Sequence, residues 1–498
     1  MVRVADRVDV AVVGAGVGGL SAAAHLARAG RSVAVFDRHD VVGGYASCFD
    51  RDGYRFDASL HRMDAVGPGE PNRHLLDGLG ITARLRFLPD TSLRQEIWPN
   101  LSFRVPHGMP GYLGVLGEHF PAERAGFAAL AALAARVHHR AYALLDGSGG
   151  LPALDREVLD LQTLSAAQVI AQHVSDPRAR QVLGTQGHYL GLGPEGLAAW
   201  SYLILLHGYH AEGGYYLAGG SQSLSDALRD AIVEAGGQVT LGQAVQRIDV
   251  SRGAVCGVTL ASGERVLADH VIGNAAPAVL FGQLLAAEDL PARYRARHAD
   301  LALSTSAVKV WLGLDRDPRA LAALGYETTW RGTWSSEPVL GQALGVHLPH
   351  VVDPSCCPDG TGIVAITAAH PPTGEQPLDA AARDHLRDRL IDAVERALLP
   401  GLRDCIRVQS VATPQTFHAY TGAPGGAILG YRHSPAQGGL RRLGARTPLK
   451  GLLLSSAWVF PGGGLTATLM SGALAARGVI GSVADQSTGS RTLSPSRS

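Results

Sequence analysis

The segment 8–37 constrains the fold more than any other part of the chain, because it contains every part of a nucleotide-binding βαβ unit. The apolar run 10–13 is short enough for a buried parallel strand, and the Ala-rich stretch 20–29 predicts a helix. Residues 32–36 predict the second strand, which ends on Asp37. The chain is therefore expected to begin with a parallel sheet of an α/β fold.

Three glycines between the first strand and the helix have GxGxxG spacing, and each has a physical role. Gly14 permits a tight turn, Gly16 lets the backbone approach a diphosphate, and Gly19 lets helix and strand pack closely. The diphosphate then lies at the positive end of the helix dipole. Asp37 is placed to bind both hydroxyls of a ribose, which disfavours a 2′-phosphate. Another GxGxxG match at 191–196 contains a proline, follows no predicted strand and predicts a loop.

Further glycine motifs follow in order along the chain. A Gly-Gly pair at 43–44 precedes a predicted hairpin that ends in the sequence 56–61, FDASLH. A glycine turn, a helix and a strand containing Val245 are predicted over 214–248. The segment 413–430, TPQTFHAYTGAPGGAILG, is followed at 446–476 by a buried strand, a glycine turn and a helix.

These motifs resemble those of the FAD-dependent phytoene desaturases, carotenoid isomerases and retinol saturases, within the amine oxidase superfamily of flavoproteins. The resemblance covers most of the chain. It implies an α/β fold with a Rossmann-like FAD-binding domain of the glutathione-reductase and amine-oxidase type, and an inserted α+β substrate or lid domain. It also implies FAD held without a covalent bond, since the closing motif has no His or Cys at an evident attachment site.

The fingerprint and the resemblance together assign a set of residues to FAD. These are Gly14, Ala15, Gly16, Val17, Gly18, Gly19, Asp37, Arg38, Gly43, Gly44, Tyr45, Ser59, Leu60, Val245, Asn274, Ala275, Trp458, Gly463, Gly464, Leu465 and Thr466. Four positions depart from the family pattern. Ser59 and Ser456 stand where glycine is usual, Val459 where threonine is, and Phe460 where histidine is common.

The candidate catalytic residues are His61, Tyr420 and Phe460, which the motifs place beside the flavin. We expect no metal site. The group His207, His210 and Glu212 has ligand-like spacing but no fourth ligand, and the adjacent His138 and His139 point to different faces of a helix.

The FAD-binding domain is predicted to be discontinuous, over 1–90, 210–290 and 410–483, with the substrate or lid domain at 91–209 and 291–409. In the insertions, 126–145 predicts an amphipathic helix, and 380–399 predicts another. The alternating stretch 306–314 predicts an antiparallel strand with one buried face. Residues 484–498, rich in Ser, Thr and Arg, predict a disordered tail.

Composition excludes some partners. Forty-four basic residues balance 44 acidic ones, so no nucleic-acid partner is expected. The first apolar run is the first strand of the nucleotide fold, so we expect no signal peptide, and no apolar run is long enough to span a membrane. The predicted location is the cytoplasm, with peripheral contact to a membrane as an open alternative.

Three functions compete. The first is an FAD-dependent oxidoreductase acting on C–C bonds of a long apolar polyene, an isoprenoid or a polyketide of secondary metabolism, by desaturation, saturation, isomerisation or redox cyclisation. The second is an oxidase of amines or amino acids, which would need an aromatic cage that Trp458 and Tyr420 could supply. The third is a flavin-bearing binding protein. For a polyene substrate, the apolar segment 197–206 could wall a tunnel, although core packing is its default role.

Overall fold

The structure is a computed structural model that describes residues 5–89, 92–146, 156–334, 340–374 and 378–489. Its strands, in chain order, are β1 (Arg7–Val13), β2 (Val33–Phe36), β3 (Cys48–Arg51), β4 (Tyr54–Asp57), β5 (Met63–Asp64), β6 (Phe87–Pro89), β7 (Arg94–Trp98), β8 (Leu101–Val105), β9 (Gly214–Leu217), β10 (Gln238–Thr240), β11 (Val245–Ser251), β12 (Ala254–Leu260), β13 (Arg265–Gly273), β14 (Ser306–Leu314), β15 (Glu327–Arg331), β16 (Ala343–His347), β17 (Gly362–His370), β18 (Ile406–Ala412) and β19 (Leu452–Leu454). Its α-helices are α1 (Val17–Arg28), α2 (Pro71–Gly78), α3 (Met109–His119), α4 (Arg124–Asp146), α5 (Arg156–Leu161), α6 (Ala166–His173), α7 (Pro177–Gly184), α8 (Ala199–His207), α9 (Ser221–Glu234), α10 (Pro277–Val279), α11 (Ala292–Ala299), α12 (Ala380–Ala397), α13 (Leu402–Cys405), α14 (Pro414–Thr421) and α15 (Leu465–Gly489).

The first large sheet confirms the predicted α/β fold. Its strands run in the order β10, β2, β1, β13, β12 and β11, and β19 also pairs with β13. The pairs β10–β2, β2–β1, β1–β13 and β13–β19 are parallel, whereas β12 and β11 are antiparallel additions at one edge. Helix α1 connects β1 to β2, and Val10, Val12, Leu20 and Val35 are fully buried between them. The βαβ unit predicted at 8–37 is present.

Helices α1 and α15 cross at close range on one face of this sheet. Ser21 donates a side-chain hydrogen bond to the carbonyl of Leu469 over 2.8 Å. A Cβ at Gly472 would lie only 2.5 Å from the carbonyl oxygen of Gly18. Glycine is therefore required for the backbones of α1 and α15 to approach this closely where the two helices cross.

The second large sheet has the order β18, β14, β17, β16, β15, β7 and β8. Strand β14, next to the edge strand β18, is buried at all nine positions, so the expectation of a single buried face is wrong. The strand pairs on both edges, α12 packs on one face, and the aromatic ring of Phe49 contacts Trp311 on the other. The sequence of β14 alone does not show that its second face is buried, because the β3–β4 hairpin that packs on this face is distant in sequence.

A layer of helices lies beside the second sheet. Helix α4 confirms the helix predicted at 126–145, and α12 confirms the one predicted at 380–399. Helix α8 packs against α4, and Leu203 is fully buried in their shared apolar core. The default role of segment 197–206, core packing, therefore holds at Leu203, while Leu205 is only partly buried.

Segments that form the first large sheet alternate along the chain with segments that form the second. The first sheet takes its strands from 7–36, 238–273 and 452–454, and the second from 94–105, 306–370 and 406–412. The domain boundaries themselves stay a prediction. Helix α15 continues to Gly489, into the segment for which a disordered tail was expected, and 490–498 lie outside the described residues. In the described part of the chain, no helix combines the length and apolar character needed to cross a membrane.

Candidate functional site

The turn between β1 and α1 is built almost entirely from backbone. Gly14 has a φ of +101°, which is open to glycine and strained for other residues. A Cβ at Gly16 would lie 2.6 Å from Nδ2 of Asn274, and one at Gly19 would lie 2.2 Å from the carbonyl oxygen of Gly14. Asn274, which follows β13, also donates from Nδ2 to the carbonyl of Gly14 over 3.3 Å. Its neighbour Ala275 packs at the edge of the apolar core behind this turn.

The second glycine motif lies directly against the first. Gly43 forms a parallel bridge with Gly16, and its N–H donates to the carbonyl of Ala15 over 2.8 Å. Gly43 and Gly44 have φ angles of +113° and +59°. A Cβ at Gly43 would lie 2.2 Å from the carbonyl oxygen of Ala46. We call the set Gly14, Gly16, Gly19, Gly43 and Gly44 the glycine track.

The track continues to the hairpin turn after β4. Ser59 donates from Oγ to the carbonyl of Tyr45 over 2.7 Å. The N–H groups of Ser59 and Leu60 donate to Oδ1 of Asp57 over 2.9 and 2.5 Å. Serine at position 59, where the family has glycine, therefore ties this turn to the second glycine motif rather than disrupting it.

Asp37 lies at the other end of the track, immediately after β2. Its Oδ2 accepts from the N–H of Ala15 over 2.6 Å, and its Oδ1 accepts from the N–H of His39 over 2.9 Å. Arg38 donates to the carbonyls of Ala419 and Tyr420 at the end of α14. The loop that leads to Val245 runs alongside, since Gln243 donates its N–H to the carbonyl of Asp37.

The closing turn before α15 is held by a buried histidine. The N–H of Gly463 donates to Nε2 of His433 over 3.1 Å. Burial lowers the pKa of His433 well below its usual value, so the ring is neutral and Nε2 is free to accept. Gly464 has a φ of +109°, and Leu465 then begins α15. Thr466 donates from Oγ1 to Oδ1 of Asp64 on β5 over 2.9 Å.

These residues fit a dinucleotide such as FAD. The N-cap of α1, Gly16, offers no side chain to satisfy the first N–H groups of the helix, so these donors are left for an anion. A Cβ at Gly19 or Gly43 would lie 2.2 Å from a carbonyl oxygen, so backbone packs directly on backbone at these two positions of the track. The carboxylate of Asp37 stands at one end, and the N-terminus of α15 stands at the other. The non-covalent attachment and the assigned contact residues stay a prediction.

A cluster of charged side chains occupies the opposite side of the hairpin turn. Arg62 donates from Nε to Oε2 of Glu327 over 3.0 Å, with both side chains almost fully buried. Tyr189 donates to the other oxygen of Glu327 over 2.6 Å. Burial raises the pKa of Glu327, but the nearby His188 and the charges of His347 and Arg62 bring it well below its usual value. Glu327 is therefore a carboxylate in the interior.

Two histidines and a lysine complete this cluster. The rings of His61 and His347 stack with centroids 3.9 Å apart. Lys309 donates from Nζ to the carbonyl of Ala58 over 3.1 Å, and burial lowers its pKa to about 8. His61, Lys309 and His347 line one small cavity that reaches Leu60. We call His61, Arg62, Lys309, Glu327 and His347 the polar pocket.

Of the predicted catalytic residues, the structure brings only His61 into this pocket. Tyr420 stacks on His39 with centroids 4.1 Å apart, outside this pocket, and its catalytic role stays a prediction. The main chain of Phe460 bonds to the carbonyl of Leu443 just before the closing glycine turn, and its catalytic role stays a prediction. Trp458 is buried edge-on against Tyr431, in a separate core that includes Ala276. Tyr45, assigned to FAD, donates its hydroxyl to the carbonyl of Ala427.

The group His207, His210 and Glu212, which was considered for its ligand-like spacing, is not held together in the structure. His210 stacks on Tyr112 at 3.8 Å, away from His207 and Glu212, because the turn after α8 is π-helical rather than α-helical. His138 on α4 takes its place beside them. The sequence did not show that His138 would lie beside His207 and Glu212, because α4 and α8 are far apart in sequence and meet only in the tertiary structure.

Sequence reasoning missed several residues of the site. Lys309 is the one charged residue in the otherwise apolar stretch 306–314, which was a usable signal for a special role. His433, Arg62 and Glu327 gave no comparable signal, because each depends on a partner far away in the sequence.

The chain resembles known proteins over nearly its whole length. Residues 17–480 match the family described as flavin containing amine oxidoreductase. A phytoene dehydrogenase of Streptomyces griseus is 28% identical, covering 97% of this chain and 97% of that protein. A chloroplastic prolycopene isomerase of an Oncidium hybrid cultivar is 24% identical, covering 96% of this chain and 84% of that protein.

Solved structures show the same fold. A putrescine oxidase has a TM-score of 0.66 at 19% identity, covering 96% of this chain and 99% of that one. The family match extends from α1 through the second glycine motif and the second large sheet to the closing turn and most of α15. The protein is thus an FAD-dependent oxidoreductase, and the chain belongs to the flavin-containing amine oxidoreductase family.

Proposed function

We propose that this protein acts on the C–C bonds of a long apolar polyene, such as an isoprenoid or carotenoid-like molecule, rather than on amines. The observation that carries the proposal is the separation of Trp458 from Tyr420. The first packs on Tyr431 and the second on His39, so the two rings do not form the cage that an amine oxidase would need. The phytoene dehydrogenase and prolycopene isomerase relatives support a polyene.

The charge of the polar pocket also supports a neutral substrate. Lys309, with a pKa of about 8, is mostly protonated at neutral pH, and it lies beside the turn Ser59–Leu60 through its bond to Ala58. A protonated amine approaching this turn would meet a cation in a medium of low dielectric constant. A hydrocarbon carries no charge and meets no such repulsion.

The chain's own residues would act mainly by positioning. The glycine track, Asp37 and the N-terminus of α15 would hold FAD, which supplies hydride acceptance or donation when bound. Asp57 fixes Ser59 and Leu60 from one side, and Lys309 fixes Ala58 from the other. The stacked rings of His61 and His347 line the cavity beside Leu60, where they would help to exclude water from the reacting bond.

The test compares substrate classes on the same protein. FAD-loaded protein, in both its oxidised and its dithionite-reduced forms, is mixed anaerobically with a carotenoid polyene, all-trans-retinol or putrescine. We expect the flavin absorbance to change with a polyene and not with putrescine. Bleaching of the oxidised flavin by putrescine alone, followed by peroxide release in air, would support the amine alternative instead.

We also propose a cytoplasmic location, with peripheral membrane contact as the way an apolar substrate is collected, and a role in secondary metabolism. Neutral net charge and an apolar substrate class support this proposal. Fractionation of expressing cells tests it: a salt-resistant share in the membrane pellet is expected, and complete recovery in the supernatant would remove the membrane contact.

A further inference from the structure

Three side chains with metal-ligating atoms meet between α4, α8 and the turn after α8. His138 comes from α4, His207 is the last residue of α8, and Glu212 ends the π-helical turn Gly208–Glu212. Their ligating atoms all lie within 4.8 Å of one another. Two imidazoles and a carboxylate form a donor set typical of zinc and other first-row divalent metals.

The ring of His138 is buried and lacks hydrogen bonds. Only 1% of the residue is exposed, and neither ring nitrogen has a hydrogen-bond partner among the described residues. Nε2 lies 3.2 Å from Oε2 of Glu212, yet the two atoms are not aligned as a hydrogen bond. Two ligands of a tetrahedral zinc ion lie about 3.3 Å apart, given bonds of about 2.0–2.1 Å. The geometry is therefore that of two atoms aimed at a shared third atom.

Asp64 borders the same space from the side of the FAD site. A Cβ at Gly208 would lie 3.0 Å from Oδ2 of Asp64 and 3.6 Å from Nε2 of His138, so both groups converge over this glycine. The other oxygen of Asp64 accepts from Thr466 at the start of α15.

We propose that His138, His207 and Glu212 bind one divalent transition metal ion of the zinc type, with the fourth position beside Asp64. This departs from the expectation of no metal site, which considered His210 in place of His138. The ion would join α4 and α8 to β5, and through Asp64 and Thr466 to the N-terminus of α15. Its role is to fix the helical layer against the FAD-binding region.

The experiment uses the FAD-loaded full chain. The protein is dialysed against EDTA, incubated with zinc chloride, desalted and analysed for zinc. One zinc per chain is expected in the wild type and in the control His139→Ala, which removes the exposed neighbour of His138. Glu212→Gln and His207→Ala are expected to retain at least tenfold less zinc.

Folding is checked separately, by FAD occupancy and circular dichroism. Glu212→Gln keeps the side-chain shape, so it carries the test if His207→Ala does not fold. Cobalt bound in place of zinc should give the visible bands of a tetrahedral nitrogen and oxygen site in the wild type. The proposal fails if folded, FAD-loaded wild type retains no zinc, or if Glu212→Gln retains as much zinc as the wild type.

Discussion

The glycine track and the polar pocket lie on opposite sides of one hairpin turn, yet they are built from different material. The track consists of backbone that approaches backbone, and most of its glycines would clash if a Cβ were added. The pocket is built from polar side chains, and its three charged members, Arg62, Lys309 and Glu327, reach it from three separate strands or loops. We therefore expect the glycine track to be sensitive to added side-chain volume, and the polar pocket to be sensitive to a change of charge.

The largest expected effect comes from breaking the charge pair of the pocket. Glu327→Ala leaves Arg62 buried without its carboxylate, and we expect the free energy of unfolding to fall by about 3–5 kcal/mol. Urea unfolding of the FAD-loaded protein measures this. Glu234→Ala, which removes an exposed ion pair with Arg84, is the control and should cost less than about 1 kcal/mol. An equal decrease in the free energy of unfolding in the two variants would show that the buried ion pair contributes no more to stability than the exposed one.

In the glycine track, the corresponding test adds a methyl group where two backbone segments are in contact. In Gly19→Ala the new Cβ would lie 2.2 Å from the carbonyl oxygen of Gly14. We expect a loss of about 1–3 kcal/mol in stability, together with loss of FAD on gel filtration. Gly78→Ala at the end of α2 meets nothing within 4 Å and should be neutral or slightly stabilising. Retention of full FAD by Gly19→Ala would refute the close approach described for this turn.

Asp37→Asn tests the far end of the track. Loss of the charged contact to a ribose should weaken FAD binding by roughly ten- to a hundredfold, or about 1.5–3 kcal/mol. Equilibrium titration of the apoprotein with FAD gives the dissociation constant. Asp40→Asn, three positions along and exposed, is the control. An unchanged dissociation constant in Asp37→Asn would remove Asp37 from the cofactor site.

The last expected effect is a pH dependence of stability. The pKa of Lys309 is lowered from 10.5 to about 8 by burial, so the unfolded chain binds more protons than the folded one between these values. The free energy of unfolding should therefore rise with pH across this window, by about 3 kcal/mol from this residue. Lys309→Met should flatten the rise in a series of thermal melts from pH 7 to about 10.5. A rise of the same size in the variant would assign it to other groups.

The parts of the fold that depend on local sequence could be predicted. Steric need for glycine is local, so the spacing of Gly14, Gly16 and Gly19 predicted the βαβ unit and the helix that follows. The amphipathic stretch 126–145 likewise predicted α4, because the period of a helix is a local property.

The side-chain sites could not be predicted in the same way. Tyr420 was assigned to the flavin by its place in a motif, and the motif did not show that its ring stacks on His39. His138 meets His207 and Glu212 only because α4 and α8 pack together. Such contacts depend on how distant elements pack, and no local pattern records them.

The proposed action of FAD on the C–C bonds of a polyene can be tested by the mass of the product. FAD-loaded protein is incubated anaerobically with a carotenoid polyene, with Asp37→Asn as the matched control. We expect a product that has lost two hydrogens, gained two hydrogens, or kept its mass with a shifted retention time, and less of it with the variant. Recovery of every tested polyene unchanged, while putrescine is converted to an aldehyde, would refute the proposed function.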